Sequence, residues 1–276
     1  MNSFQALKTQ LLQQGAQHRI AAVCADDTAT REALNLVEQE GIAKVVNVTA
    51  DTPEEAAAEA VALVRSGEAD ILMKGLIGTD KLLRAVLNKE CGLLPQGNVL
   101  THLAAAEIPA YQKLLFFTDA AVIPYPTHEQ RIEQVRYATQ VCRRLGISEP
   151  KVALIHCAEH GGKAFPFVDG YADICRMAAE GDFGPCVVDG PLDLLTSLSP
   201  EALAAKRLTS PIGGEADILI LPDIEAGNIY YKALSLLANA RTAGILCGTM
   251  APVVVPSRGD STETKFNSIL FALASL

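Results

Sequence analysis

Apolar runs and amphipathic stretches alternate through the first eighty residues. An opening helix spans about residues 4–13, and Ile20-Ala21-Ala22-Val23-Cys24 reads as a first strand. Asp27 and Thr28 offer caps for a helix that runs to about Glu40 and stops at Gly41. Lys44-Val45-Val46-Asn47-Val48 is a second strand. Pro53 then starts a helix, Glu54 and Glu55 suit the positive end of its dipole, and Gly67 closes it. Ala69-Asp70-Ile71-Leu72-Met73 is a third strand. This β-α-β-α-β rhythm predicts a parallel sheet with helices on its faces. Lys74-Gly75-Leu76-Ile77-Gly78-Thr79 follows at the carboxyl end of the third strand, where open α/β sheets place ligands. Thr79 or Asp80 caps the next helix, whose apolar face carries Leu82, Leu83, Val86 and Leu87. Arg84, about one turn in, could reach a ligand at that N-terminus or stand as a solvated helix charge.

The rhythm changes from Cys91 to Pro126, where prolines and glycines punctuate Leu114-Leu115-Phe116-Phe117 and Ala120-Ala121-Val122-Ile123. These two runs read as strands flanking Thr118-Asp119 and leading into a second domain, with the boundary near Gly97. A helix over 127–145 restarts the alternation. Strands follow at 152–155, 186–188, 218–221 and 244–247, with helices at about 168–180, 191–206 and 225–239. In Leu221-Pro222-Asp223-Ile224-Glu225-Ala226-Gly227-Asn228-Ile229-Tyr230-Tyr231-Lys232, Gly227 sits where a helix interior disfavours it by about 1 kcal/mol against Ala. A close approach by another backbone or by a ligand would explain it. Asn228 and Lys232 share a helix face, as a ligand contact or as ordinary polar surface.

The last strand ends at Pro256, and Ser257-Arg258-Gly259-Asp260-Ser261 turns into the final helix. Asp260 or Ser261 can cap it, and Asp260 with Glu263 has capping-box spacing. Such a turn is either a cap beside a surface Arg or an anion site built from backbone donors, a hydroxyl and a guanidinium.

Composition narrows the function. A net charge of −9 leaves no basic block for nucleic acid. The seven cysteines are scattered without a CxxC pair, as in reduced cytosolic proteins. Met1 to Gln5 shows no secretory pattern, and the longest uncharged run, Thr242 to Ser257, is too short and broken to span a bilayer. A soluble cytoplasmic protein is expected. There is no GxxxxGK[ST] loop and no GxGxxG after a strand. His156-Cys157-Ala158-Glu159-His160 fits a zinc pattern, but it follows a strand directly and precedes two glycines. It reads as a loop, and no metal site is expected.

Six segments, taken together and in order, carry a resemblance. They are Leu72 to Ile77, Leu82 to Glu90, Lys113-Leu114-Leu115 with Thr118-Asp119-Ala120-Ala121, Val188-Asp189-Gly190-Pro191-Leu192, Pro222 to Lys232, and Ser257 to Ser261. The chain resembles the phosphate acetyl/butyryl transferase family from end to end, and is closer to its butyryl branch. The resemblance implies a two-domain, three-layer α/β/α fold with mainly parallel sheets, of the isocitrate/isopropylmalate dehydrogenase type. The active site would lie in the cleft between the domains. The first domain would hold residues 1–96 with 247–276, because the last strand and helix return to it, and the second would hold 97–246.

The implied activity is reversible transfer of a short acyl group between coenzyme A and phosphate, with no cofactor and no metal, in a homodimer. A thiolate would attack the acyl phosphate in a ternary complex. The catalytic residues implied are Ser257, Arg258 and Asp260, with Lys74, Thr79, Arg84, Asn228, Lys232 and Glu263 binding substrate. In the acetyltransferase branch an aspartate a few residues after Ser-Arg-Gly is proposed as the thiol base. The matching position here is Thr264, which leaves Asp260 and Glu263 as the nearby carboxylates. Two alternatives use the same fold: a non-catalytic sensor of acyl-CoA or acyl phosphate, and an acyl-phosphate synthase that uses acyl carrier protein. A dehydrogenase of this fold lacks support, since neither a nucleotide fingerprint nor an aspartate cluster is present.

Overall fold

The computed structural model describes residues 1–276. In chain order the elements are α1 (Phe4–Gln14), β1 (His18–Val23), α2 (Thr28–Gln39), β2 (Ala43–Val48), α3 (Pro53–Arg65), β3 (Ile71–Lys74) and α4 (Thr79–Val86). Then come β4 (Thr101–Glu107), β5 (Leu115–Thr118), α5 (His128–Arg144), β6 (Lys151–Ile155), a 3₁₀ turn (Pro166–Gly170), α6 (Tyr171–Ala179) and β7 (Val187–Leu192). The chain ends with α7 (Leu194–Leu198), α8 (Pro200–Lys206), β8 (Ile218–Ile220), α9 (Ile224–Leu237), β9 (Arg241–Cys247), β10 (Val253–Val254) and α10 (Thr262–Ala274). No helix is long and apolar enough to cross a membrane.

The chain divides into two units. The first holds residues 2–100 and 241–276. Its strands run in the order β2-β1-β3-β10-β9, all parallel except β9 against β10. Ile20–Val23, Ile71–Met73 and Val253–Val254 are fully buried, as expected of strands covered on both faces. Right-handed crossovers leaving β1 and β2 in opposite directions put α2 and α3 on opposite faces. Accordingly α10 packs on α1 and α2, while α3 packs on α4. The helix starts follow local chemistry. Asp27 caps α2 by accepting from the Thr30 N–H at 2.9 Å. Thr52 and Glu55 form a reciprocal capping box with Pro53 at the first helical position.

The second unit holds Met1 and residues 101–240. Its strand order is β4-β5-β8-β6-β7, antiparallel only between β4 and β5. Three sequence expectations change here. Residues 101–107, unassigned by pattern, form β4, whose Ala104, Ala105 and Ala106 pair with Phe117, Phe116 and Leu115. Ala120 to Ile123 is a turn, because the buried Asp119 carboxylate accepts from the N–H groups of Ala121 (2.8 Å) and Val122 (2.7 Å). Its other oxygen takes Thr101 Oγ1 (2.7 Å) and the His102 N–H (3.0 Å), tying the turn to β4. The helix expected over 191–206 is two helices, since Ser199 ends α7 and caps α8, and Pro200 cannot continue the first.

Candidate functional site

The carboxyl ends of β1 and β3 meet the turn before α10 in the first unit. β3 ends on Lys74, and the next residue lies against the backbone after β1. Gly75 donates to the Val23 carbonyl at 2.8 Å, and Leu76 donates to that of Cys24 at 2.6 Å. A Cβ on Gly75 would overlap the Cys24 carbonyl oxygen and sit 2.6 Å from that of Val23. Only glycine permits this approach, and it holds Lys74 at the mouth of the sheet. A pocket of ≈ 70 Å³ opens there, lined by Asp27, Lys74, Gly75, Leu76, Pro256, Ser257, Arg258 and Lys265.

The pocket is rich in cations that are not equally paired. Lys265 is buried on α10, and its Nζ donates to Asp27 Oδ1 at 2.8 Å and to Thr30 Oγ1 at 2.9 Å. Burial works to raise the Asp27 carboxyl, but donation from Lys265 and Thr30 outweighs it and holds the group at about 2. Lys74 is only 3% exposed and has no such partner, since its Nζ donates to the Gly75 carbonyl at 3.3 Å and forms no ion pair. Burial pushes Lys74 below the usual lysine range. Arg258 and Lys265 act in the same direction, against Asp27 and Asp260. Arg258 is exposed and forms no ion pair.

The turn itself is held by Asp260. Its Oδ2 accepts from the Ser257 N–H at 2.7 Å, the Asp260 N–H donates to the Ser257 carbonyl at 3.2 Å, and the Gly259 N–H reaches Ser257 Oγ at 3.4 Å. The cap of α10 is Ser261, whose Oγ accepts from the Thr264 N–H at 3.1 Å. The Asp260–Glu263 capping box is therefore absent. Glu263 instead pairs with Arg241 at 3.1 Å.

Of the residues singled out from sequence, Lys74, Ser257 and Arg258 line the pocket; Asp260 does not line it but is bonded to the Ser257 N–H, and Thr79, Arg84 and Glu263 do not line it. Thr79 is the first residue of α4, whose cap is Gly78 with no side-chain bond, so neither Thr79 nor Asp80 caps it. Arg84 stands exposed in the last turn of that eight-residue helix, at the end opposite its N-terminus, and its charge acts on Glu54 and Lys81. Asn228 and Lys232 belong to α9 of the other unit. Asn228 Nδ2 donates to the Ala120 carbonyl at 3.2 Å, and Lys232 Nζ stands 5.4 Å from the Tyr231 ring centre. Gly227 is explained by backbone, since a Cβ there would overlap the Asp119 carbonyl oxygen. The His156–His160 run forms a loop after β6, not the helix that an H-x-x-E-H zinc pair requires.

The profile of the phosphate acetyl/butaryl transferase family matches residues 5–273. The chain belongs to this family. A phosphate butyryltransferase of Clostridium acetobutylicum is 44% identical over 223 residues, covering 81% of this chain and 73% of that protein. Among solved structures, a branched-chain phosphotransacylase of Enterococcus faecalis superposes with a TM-score of 0.84 at 34% identity, covering 94% of this chain and 99% of that one. A 4-hydroxythreonine-4-phosphate dehydrogenase of Klebsiella pneumoniae matches at TM-score 0.52 and 12% identity, covering 95% of this chain and 100% of that one. That last likeness speaks for a dehydrogenase-like fold alone.

Within this phosphate acetyl/butaryl transferase chain, sequence reasoning missed the Asp27–Lys265 pair. Asp27 was legible as a cap, but its second partner lies 238 positions away. The available signal was Lys265 itself, one cation at the head of a helix face that is otherwise buried as far as Ala274.

Proposed function

We propose that this protein transfers a short acyl group between coenzyme A and inorganic phosphate, in either direction. The observation that carries this is the small pocket where Arg258, Ser257 and Lys74 converge with one guanidinium unpaired, in a chain of the phosphate acetyl/butaryl transferase family. Arg258 and the Ser257 hydroxyl hold the phosphoryl oxygens and the developing oxyanion. Asp260 acts through the turn, keeping the Ser257 backbone in place. Charge aimed at a developing anion in this way is commonly worth about 2.7–4 kcal/mol per donor. Thr79, Arg84, Asn228, Lys232 and Glu263 remain binding candidates for the longer coenzyme A substrate, and their variants should act on KM for coenzyme A first.

The reaction in this reading needs coenzyme A and phosphate as substrates, with no metal and no further cofactor. Two further parts of the proposal concern setting. All seven cysteines are free, which supports a reducing compartment such as the cytoplasm. α9 exposes Ile229, Leu236 and Leu237 at one-face spacing, an apolar row that a second copy of the chain would cover in a homodimer. Nucleic acid and membrane surfaces are not partners in this reading, consistent with the net charge of −9.

The test is thioester formation from coenzyme A with acetyl, butyryl and isobutyryl phosphate. Product from at least one of them is expected, and the ratio of kcat/KM across the series ranks the acyl groups. No product from any of them, alongside measurable binding of acyl phosphate, would replace the enzyme with a sensor. Light scattering on the wild type and on Leu236→Asp reads the dimer separately.

A further inference from the structure

An acyl transfer from phosphate to a thiol requires something to take the thiol proton, and the carboxylate that lines this pocket, Asp27, is already paired with Lys265. Thr264, in the first turn of α10, gives its N–H to Ser261 Oγ and carries only a hydroxyl, which is no base. Asp27 accepts from Lys265, Thr30 Oγ1's partner ammonium, and from the Thr30 N–H, and its proton affinity is too low to serve. Asp260 does not line the pocket, and its Oδ2 holds the Ser257 N–H. The Cys24 thiol at the end of β1 is raised by its burial and by Asp26, and competes poorly.

Lys74 is the group left over. It is buried, it lines the pocket with Ser257 and Arg258, and its one hydrogen bond is a long one to a neighbouring carbonyl. Two cations, Arg258 of the turn and Lys265 of α10, face it against two carboxylates, Asp27 of α2 and Asp260 of the turn. Lys265 is neutralised by Asp27, and Arg258 supplies permanent positive charge because a guanidinium does not deprotonate in proteins. Lysine, by contrast, readily serves as a base once buried.

We propose that Lys74 is the general base of the acyl transfer, taking the thiol proton and returning it to the departing phosphate. The inference rests on the acyl-transfer reading above. The neutral Lys74 amine accepts the proton from sulfur, the thiolate attacks the acyl carbon, and a C–S bond forms as the C–O bond to phosphorus breaks. The phosphate leaves with an extra negative charge, and the Lys74 ammonium beside it gives up the same proton. The amine is regenerated, so no outside acid or base is consumed. A pocket this small keeps any phosphoryl group that touches Arg258 within reach of Lys74.

The experiment measures thioester formation from coenzyme A and butyryl phosphate by wild type, Lys74→Arg and Lys74→Met across pH. At pH 7 both variants should lose on the order of 10²–10⁴ in kcat, with KM for butyryl phosphate changed only a few-fold. The gap should narrow as pH rises toward the thiol's own ionisation, because a free thiolate needs no base. An anchoring role would instead raise KM, spare Lys74→Arg and leave a gap that does not close. For wild type alone, assayed in the direction from butyryl-CoA and phosphate so that no free substrate thiol titrates, the rising limb of kcat/KM should shift strongly with temperature, since amine ionisation carries a large enthalpy and carboxylate ionisation almost none. This arm stands even if a variant fails to fold. An active wild type with Lys74→Arg within threefold, or a temperature-independent limb, overturns the assignment while leaving acyl transfer intact. A wild type that makes no thioester removes the acyl-transfer reading and this inference with it.

Discussion

Asp27→Asn isolates the buried ion pair at the back of the pocket. Asparagine is as good a helix cap as aspartate, so the bond from the Thr30 N–H survives and only the charge is lost. The Lys265 side chain is 3% exposed and that of Asp27 28%, so the substitution leaves a buried ammonium without its counterion. Removing one partner of a buried pair typically costs about 3–5 kcal/mol. The lower end is expected here, because Thr30 Oγ1 still accepts from Lys265 at 2.9 Å.

The pH dependence gives an independent estimate. Asp27 lies at about 2 when folded against an ordinary 3.8, which corresponds to about 2 kcal/mol before screening at its exposed edge reduces it. A carboxyl depressed by folding stabilises fully above its unfolded value, and the contribution is lost as pH falls through the folded one. The window is therefore about pH 4 to pH 2. Urea unfolding followed by circular dichroism should give a coupling energy near 2 kcal/mol between Asp27→Asn and Lys265→Met at pH 7. The wild-type advantage over the double variant should shrink through that window. A coupling below about 0.5 kcal/mol, or an advantage equal at pH 7 and at pH 2, would refute the argument.

Three further outcomes follow from the same geometry. Arg258→Ala should lower turnover by about 10²–10³ and leave the melting temperature unchanged, since the side chain is exposed and unpaired; a near-wild-type rate removes it from the mechanism. Gly75→Ala should lose roughly 1–3 kcal/mol in urea unfolding, because its Cβ must displace backbone at Cys24 and Val23, and turnover should fall with it as Lys74 shifts. Gly227→Ala should lower the melting temperature even though alanine is the better helix former by about 1 kcal/mol, because Asp119 is backbone and cannot swing aside. An unchanged or higher melting temperature would show that α9 can slide.

The first unit was legible up to β3 because the elements there carry their own punctuation. Asp27, Thr52 and Pro53 start helices where their local chemistry places them, and the buried runs at Ile20–Val23 and Ile71–Met73 are apolar without a break. The second unit was harder where tertiary partners decide. Ala104-Ala105-Ala106 has weak strand preference, yet it becomes a strand because Leu115, Phe116 and Phe117 supply the pairing edge. Ala120 to Ile123 has a strand's composition, yet the Asp119 carboxylate captures its amides. In the first case the deciding residues lie on the next strand, and in the second a single adjacent carboxylate overrides composition; periodicity registers neither.

The site turned on a single position of register. Pro256, Gly259 and the hydroxyls marked a turn into a helix, but both Asp260 and Ser261 could have been the cap. Ser261 takes that role, and the difference changes the chemistry. With Ser261 bonded to the Thr264 N–H, Asp260 is free to fold back onto the Ser257 N–H and fix the turn that presents Arg258. Had Asp260 capped α10, its carboxylate would be spent on the helix and the Ser257 backbone would be held by nothing on the turn. One residue of register thus converts the carboxylate two positions after Arg258 from a helix cap into a brace for the anion site. Asp260 stays outside the pocket lining, and the demand for a base passes to Lys74, which lines it.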